Sequence, residues 1–279
     1  MPADPPAASP LVASLPMYDW PEVRWATDAL WSAIAQRLAE RGIDAPPTLD
    51  RDRPAESVWT DPGLVLSQTC GWPYATRLID RVRYVGTPVY DVPGCDGPLY
   101  SSMIVARNAD AAAGVAALAR RRVAYNSAGS FSGFIVLRAA MREAGVDPDA
   151  AAWIETGGHR ASVAAVASGE ADIAAIDAIC WALAREHEPA ATANLTIVAE
   201  TPLRPGLPLI TARARSAEDA DALATVFAEA IASPDLASAA KALRLAGIVR
   251  LDESDYRRTA ALFRESAAPQ PDPSRASRG

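Results

Sequence analysis

Strand-like and helix-like segments alternate from one end of this sequence to the other, and that alternation restricts the fold more than any other feature. Short apolar runs at 11–17, 63–67, 83–90, 100–107, 122–126, 152–156, 173–177, 195–201, 209–212 and 248–251 read as strands. Between them lie segments with helical spacing. The first, about Pro21 to Arg41, has proline at its start, Val23, Leu30, Ile34 and Leu38 on one face, and Gly42 as its stop. Further helices are expected at 72–80, 110–119, 132–144, 159–168, 178–186, 217–232, 234–245 and 254–263. This order is that of an α/β protein whose sheets are mainly parallel and flanked by helices.

Two extended segments stand where the chain could pass between two such units. Residues 100–107 leave the first, and the proline-rich passage after Pro202 returns toward 209–212. The expected organisation is a first lobe of 11–100 and 207–265, a second lobe of 101–206, and a hinge of two strands. A disordered segment is expected over 1–10 and a disordered tail over 266–279. A cleft between the lobes would collect the loops at strand C-termini, which is where open α/β sheets place their ligands.

Composition removes several classes. Half the residues are hydrophobic and 22% are charged, the profile of a globular chain. With 27 Lys and Arg against 34 Asp and Glu, the net charge is −7, which argues against nucleic acid as a partner. Three cysteines (Cys70, Cys95, Cys180) form no metal spacing, and Cys70 with Cys95 either pair or remain thiols. Nothing calls for a cofactor or a metal. No run of about 18 or more apolar residues occurs, so no membrane span is expected. The N-terminal residues carry neither a positive n-region nor a sustained apolar h-region, so as written the chain reads as cytoplasmic.

Four loops at expected strand ends carry candidate chemistry. In Asn126-Ser127-Ala128-Gly129-Ser130-Phe131-Ser132-Gly133, small hydroxyl residues and glycines open a helix and present N–H and O–H donors to an anion. The plainer reading is a serine N-cap with loop filler, and no Lys follows in Walker register. His159, at the entry of the 159–168 helix, either donates to an anion or serves as a cap or packing residue. Asp177 closes the strand of small residues that begins at Ile173, and either faces a cleft or caps the next helix. Tyr18 and Trp20, with Trp72 and Tyr74, offer aromatic walls or ordinary packing.

In their order along the chain these pieces resemble the substrate-binding components of phosphonate, phosphite and phosphate ABC transporters (PhnD-like proteins). The segments that carry the resemblance are Leu15-Pro16-Met17-Tyr18, Tyr100-Ser101-Ser102-Met103-Ile104-Val105, Ser130-Phe131-Ser132-Gly133-Phe134, and His159 through Asp177. It spans about Leu11 to Phe263. The resemblance implies a type II periplasmic-binding-protein fold, two lobes closing on a ligand. It implies that Ser130, Phe131, Ser132 and Gly133 stand where the family places a hydroxyl-rich oxyanion loop, with Phe131 in place of the middle hydroxyl. It assigns a further donor to His159 and, in some relatives, a ligand amine to Asp177. Tyr18 or Trp20 and Trp72 or Tyr74 become the aromatic cover. The family is usually exported, unlike the chain as written.

The resulting expectation is a monomeric solute-binding protein that holds a small oxyanion and delivers it to an ABC permease. The alternative is a cytoplasmic sensor of the same fold with a non-phosphorus ligand. Hydrolysis by Ser130 or Ser132 with His159 and Asp177 is disfavoured: no Gly-x-Ser-x-Gly elbow is present, and both residue types stand at helix starts, positions suited to donation.

Overall fold

A computed structural model describes residues 10–264 together with 266 and 267. The expected disordered ends, 1–10 and 266–279, otherwise lie outside the described residues. Ser266, at the expected start of the tail, is buried, and its carbonyl accepts from Arg138 Nε at 2.7 Å.

Two five-stranded sheets form the two lobes. In the first, the order is Val12–Ser14, Leu64–Gln68, Leu209–Ala212, Val82–Tyr90 and Leu245–Val249. In the second it is Leu195–Glu200, Ser102–Arg107, Ile173–Asp177, Arg122–Tyr125 and Ala152–Glu155. The lobes are those of the expected two-lobed α/β fold, and in each sheet most strands run the same way. Ser102–Arg107 runs against the other four strands of the second sheet, and Leu209–Ala212 and Leu245–Val249 run against the other three strands of the first sheet. The connectivity explains this for the crossing strands. A strand that enters a lobe from the cleft must start at the end where the others finish.

The expected strand 100–107 divides at Ser101. Leu99–Tyr100 belongs to a small hinge sheet, where it pairs antiparallel with Arg204–Pro205 and with Cys95–Asp96. Ser101 lies between the two ladders, its Oγ 2.6 Å from Glu200 Oε1, to which it donates, and 3.0 Å from the Gly94 carbonyl. The C-terminal helix Glu253–Phe263 fastens the return crossing to the first lobe: Tyr256 Oη donates to the Gly206 carbonyl at 2.9 Å and lies 2.6 Å from Thr87 Oγ1.

Local sequence accounts for the helices that matter to the cleft. Arg24–Glu40 turns Ala26, Leu30, Trp31, Ile34 and Leu38 inward at spacings of three and four. Each large side chain so buried stabilises the lobe by about 1.5–3 kcal/mol. His159–Ser168 ends at Gly169, whose φ of +82° is a left-handed cap that a side chain would strain. Three residues on, buried Asp172 accepts from Arg107 at 2.7 Å and from Arg122 at 3.0 Å. Burial opposes its charge, but the two guanidinium groups prevail and hold the carboxyl down to about 2. All three cysteines are free thiols.

Candidate functional site

The C-terminal ends of strands from both lobes converge on a cavity of about 430 Å³. The first lobe supplies Met17 to Trp20, Glu56, Trp59 and Cys70; the second supplies Asn126, Ser127, Ser130, Ser132, Gly157 to Arg160, and Asp177. This is the volume of a small-molecule site.

The serine loop is built by a π-turn over Phe131–Ile135, closed by the bond from Ile135 N to the Ser130 carbonyl at 3.1 Å. Ser130 caps it, its Oγ accepting from Gly133 N at 3.1 Å, so the hydroxyl hydrogen remains available to a ligand. Ser132 Oγ lies 2.9 Å from His159 Nε2, and Asn126 Nδ2 lies 3.4 Å from the same nitrogen. Gly133 makes this approach possible, since a Cβ there would fall 2.1 Å from Asn126 Oδ1 and 3.1 Å from His159 Cε1. Among the described residues, the Asn126 Oδ1 and His159 Nδ1 atoms are buried and find no hydrogen-bond partner. Burial pushes the imidazole down to about 4, against a smaller contrary pull from the Ala175 carbonyl, so His159 is neutral at pH 7.

His159 also opens a ten-residue helix whose N-cap, Gly158, contributes no side-chain bond. The first amides of that helix carry the positive end of its dipole, and His159 and Arg160 both line the cavity. Arg160 spans the mouth. It donates to Glu22 at 3.0 and 2.8 Å and to Glu188 at 2.6 Å, and its guanidinium lies 4.8 Å from the Trp20 ring centre.

Asp177 fulfils both readings of its sequence position. Its Oδ1 accepts from Ile179 N at 2.8 Å and Cys180 N at 3.2 Å, capping Ala178–His187, while Oδ2 accepts from Tyr18 Oη at 3.0 Å across the cleft. It is 1% exposed. Burial pushes the carboxyl up to about 6, although the bonds from Cys180, Tyr18 and Ile179 favour its charge.

The structure thus brings Tyr18, Trp20, Ser130, Ser132, His159 and Asp177 to one cavity and leaves Trp72, Tyr74 and Phe131 outside its lining. Tyr74 is fully buried in the first-lobe core beside Tyr84 and Tyr256, with its hydroxyl donating to Glu253 Oε2 at 2.5 Å. Trp72 and Phe131 stack on each other 6.5 Å apart, and Phe131 meets Phe263 edge-on at 5.1 Å. Ser130 and Ser132 line the cavity, while Phe131 between them packs onto Trp72 and Phe263. Glu56 and Trp59 were not expected. They sit on Ala55–Trp59, a short helix whose start is marked in sequence only by Pro54 and Glu56.

Among the described residues no cluster of His, Cys, Asp and Glu is arranged to hold a metal, and no helix is long and apolar enough to cross a membrane. Chemically the cavity offers hydroxyl and amide donors, a neutral imidazole and aromatic walls. Ser132 and His159 have the spacing of a nucleophile and base, but among the described residues no carboxylate orients His159 Nδ1, and Asp177 is engaged elsewhere.

Comparison with known proteins agrees with this architecture. The model of the family described as "ABC transporter, phosphonate, periplasmic substrate-binding protein" matches residues 77–256. Among curated proteins no match is found. Solved structures similar to the chain include a binding-protein component of an ABC phosphonate transporter from Pseudomonas aeruginosa, 16% identical, with a TM-score of 0.73 over 95% of this chain and 91% of that one. A protein from Prochlorococcus marinus in complex with methylphosphonate is 14% identical, with a TM-score of 0.69 over 91% and 97%. One from Xanthomonas citri bound to ATP is 17% identical, with a TM-score of 0.68 over 92% and 96%. At such identities the likeness shows the fold, and the family match covers well over half of the chain. The chain belongs to the family of phosphonate periplasmic substrate-binding proteins of ABC transporters.

Proposed function

We propose that this protein captures a small phosphorus oxyanion of the phosphonate class in its interlobe cavity and passes it to an ABC permease, without chemical change to the ligand. One observation carries the reading: the serine loop and the uncapped start of the His159–Ser168 helix point their donors into the same cavity. Hydroxyls and oriented amides bind an oxyanion without a fixed cation. A neutral His159, held near 4, is a poor base at pH 7, which supports binding over hydrolysis.

The cavity is larger than an inorganic oxyanion needs, and Tyr18, Trp20 and Trp59 give it aromatic walls. These features favour an organophosphonate over phosphate or phosphite. They also support a second reading, a ligand of another class on the same donors, as with the ATP bound by the Xanthomonas citri protein.

The test is a thermal-shift screen on refolded, ligand-stripped protein with phosphate, phosphite, alkylphosphonates, aminoalkylphosphonates, sulfonates, dicarboxylates and nucleotides. A specific ligand at about 100 times its Kd stabilises by roughly 2.7 kcal/mol. Alkylphosphonates should give the largest shift. A shift confined to dicarboxylates or nucleotides would replace the phosphonate reading with the second one.

A further inference from the structure

We propose that oxyanion binding in this cleft is coupled to uptake of one proton by Asp177, with Tyr18 as the relay that turns protonation into a ligand-binding hydrogen bond. The proposal rests on the oxyanion reading above and adds to it the proton that accompanies the ligand.

The geometry begins with a carboxylate that, among the described residues, no cation pairs with. Asp177 ends a central strand, and its ordered contacts are two helix amides and the Tyr18 hydroxyl. The groups facing it are Tyr18 from the first-strand loop, Tyr90 from the adjoining first-lobe strand, Cys95 and Tyr100 from the hinge sheet, Cys70 from the loop before Gly71, and Cys180 from its own helix. All are acids neutral at pH 7, and burial raises each of them further; Cys95 is pushed up to about 12. Across the cavity His159 is neutral, and Arg160 is held by Glu22 and Glu188. Asp19 is occupied by Arg51 at 2.6 Å, and Glu56 by Arg77 at 3.0 Å.

An anion entering beside an ionised Asp177 therefore meets an uncompensated like charge in a poorly solvated site. The ionised carboxylate also uses the one hydrogen of Tyr18, which leaves the phenol oxygen as an acceptor only. Protonation removes both obstacles. A proton from solvent forms an O–H bond on Oδ2, that O–H donates to Tyr18 Oη, and the phenol hydrogen is free to rotate into the cavity and donate to the anion. Oδ1 keeps its two helix amides in either state. Burial has already brought the carboxyl to about 6, so the remaining step is small.

Linkage fixes the sign. Above pH 6 the free protein carries Asp177 mostly ionised, and the bound form carries it protonated. Binding then takes up a proton, and affinity falls as pH rises by as much as about tenfold per unit. Asp177→Asn imitates the protonated state: the amide oxygen still accepts from Ile179 and Cys180, and the amide N–H donates to Tyr18.

The experiment is titration calorimetry of methylphosphonate into full-chain, ligand-stripped protein, in two buffers of unlike ionisation enthalpy from pH 5 to 8. Wild type and Asp177→Asn are compared, so that the titration of methylphosphonate itself cancels. At pH 7.5 the wild type should take up close to one proton more per ligand than Asp177→Asn, and the variant should bind at least as tightly. Equal proton uptake in the two proteins, or weaker binding by Asp177→Asn at every pH, overturns the proposal. Carbon-13 NMR of the Asp177 carboxyl gives the answer without a substitution: its midpoint should rise on adding methylphosphonate, and an unmoved or lowered midpoint contradicts it. If the wild type releases no heat and shows no thermal shift with any oxyanion, the oxyanion reading itself fails, an outcome distinct from binding without proton uptake.

Discussion

Arg160 of the second lobe grips Glu22 of the first through both terminal nitrogens, at 3.0 and 2.8 Å, while its plane covers Trp20 of the first lobe. Arg244 pairs with Glu186, again between lobes. The cleft is thus held by contacts at its rim as well as by the Tyr18–Asp177 bond inside it.

Arg160→Ala should shift the lobes toward an open arrangement. An exposed bidentate pair and one cation–π contact are together worth about 1–2 kcal/mol. Small-angle scattering of the ligand-free variant should give a larger radius of gyration than wild type, and ligand dissociation should be several-fold faster. An unchanged radius and an unchanged dissociation rate would show the clasp to be idle. Because the pair is exposed, high salt should mimic the variant in part.

The two buried titrating groups of the cleft pull stability in opposite directions with pH. His159 is held near 4, below its unfolded value of about 6.5, so the unfolded chain binds more protons between those values. Its contribution is complete above about 6.5 and lost as pH falls through 4. Asp177 is raised to about 6 from an unfolded value near 3.9. Its contribution is complete below about 3.9 and lost as pH rises through 6. Between about pH 4 and 6 the slopes oppose each other, each at most about 1.4 kcal/mol per pH unit. Relative to wild type, His159→Gln should gain stability on acidification and Asp177→Asn should lose it. Melting temperatures that track wild type across this range in both variants would contradict the assignment.

Gly133→Ala should damage the site more than the fold. Its methyl would sit 2.1 Å from Asn126 Oδ1, so Asn126 must move and His159 loses a neighbour. Overpacking of this kind costs about 1–3 kcal/mol. The expected result is a modest fall in melting temperature and at least a tenfold loss of ligand affinity, read by calorimetry. Full affinity in this variant would remove Asn126 and His159 from the site.

Much of this was legible in the residues, and the remainder has physical reasons. Ile173–Asp177 and His159–Ser168 lie where glycine stops and small apolar runs place them, because Gly169 and Gly158 mark the ends in sequence. Strand direction was not legible. Whether a strand such as Leu209–Ala212 runs with or against its neighbours depends on which end of the lobe the chain enters. Aromatic type did not say which way a ring faces. Tyr18 and Trp20 reach the cavity, but Tyr74 belongs to a core of three tyrosines, and Phe131 is turned back onto Trp72 and Phe263. The rim contact of Arg160 was hidden for the same reason: its partners, Glu22 and Glu188, lie far from it in sequence.

The central claim is that hydroxyls of the Ser127–Ser132 loop hold an oxyanion between the lobes. Its most direct test is thermal melting of wild type and of Ser130→Ala combined with Ser132→Ala, each with and without saturating methylphosphonate. The account predicts a clear ligand-induced rise in the wild type and none in the double variant, whose ligand-free melting temperature stays within a few degrees of wild type. An equal rise in both proteins would contradict it.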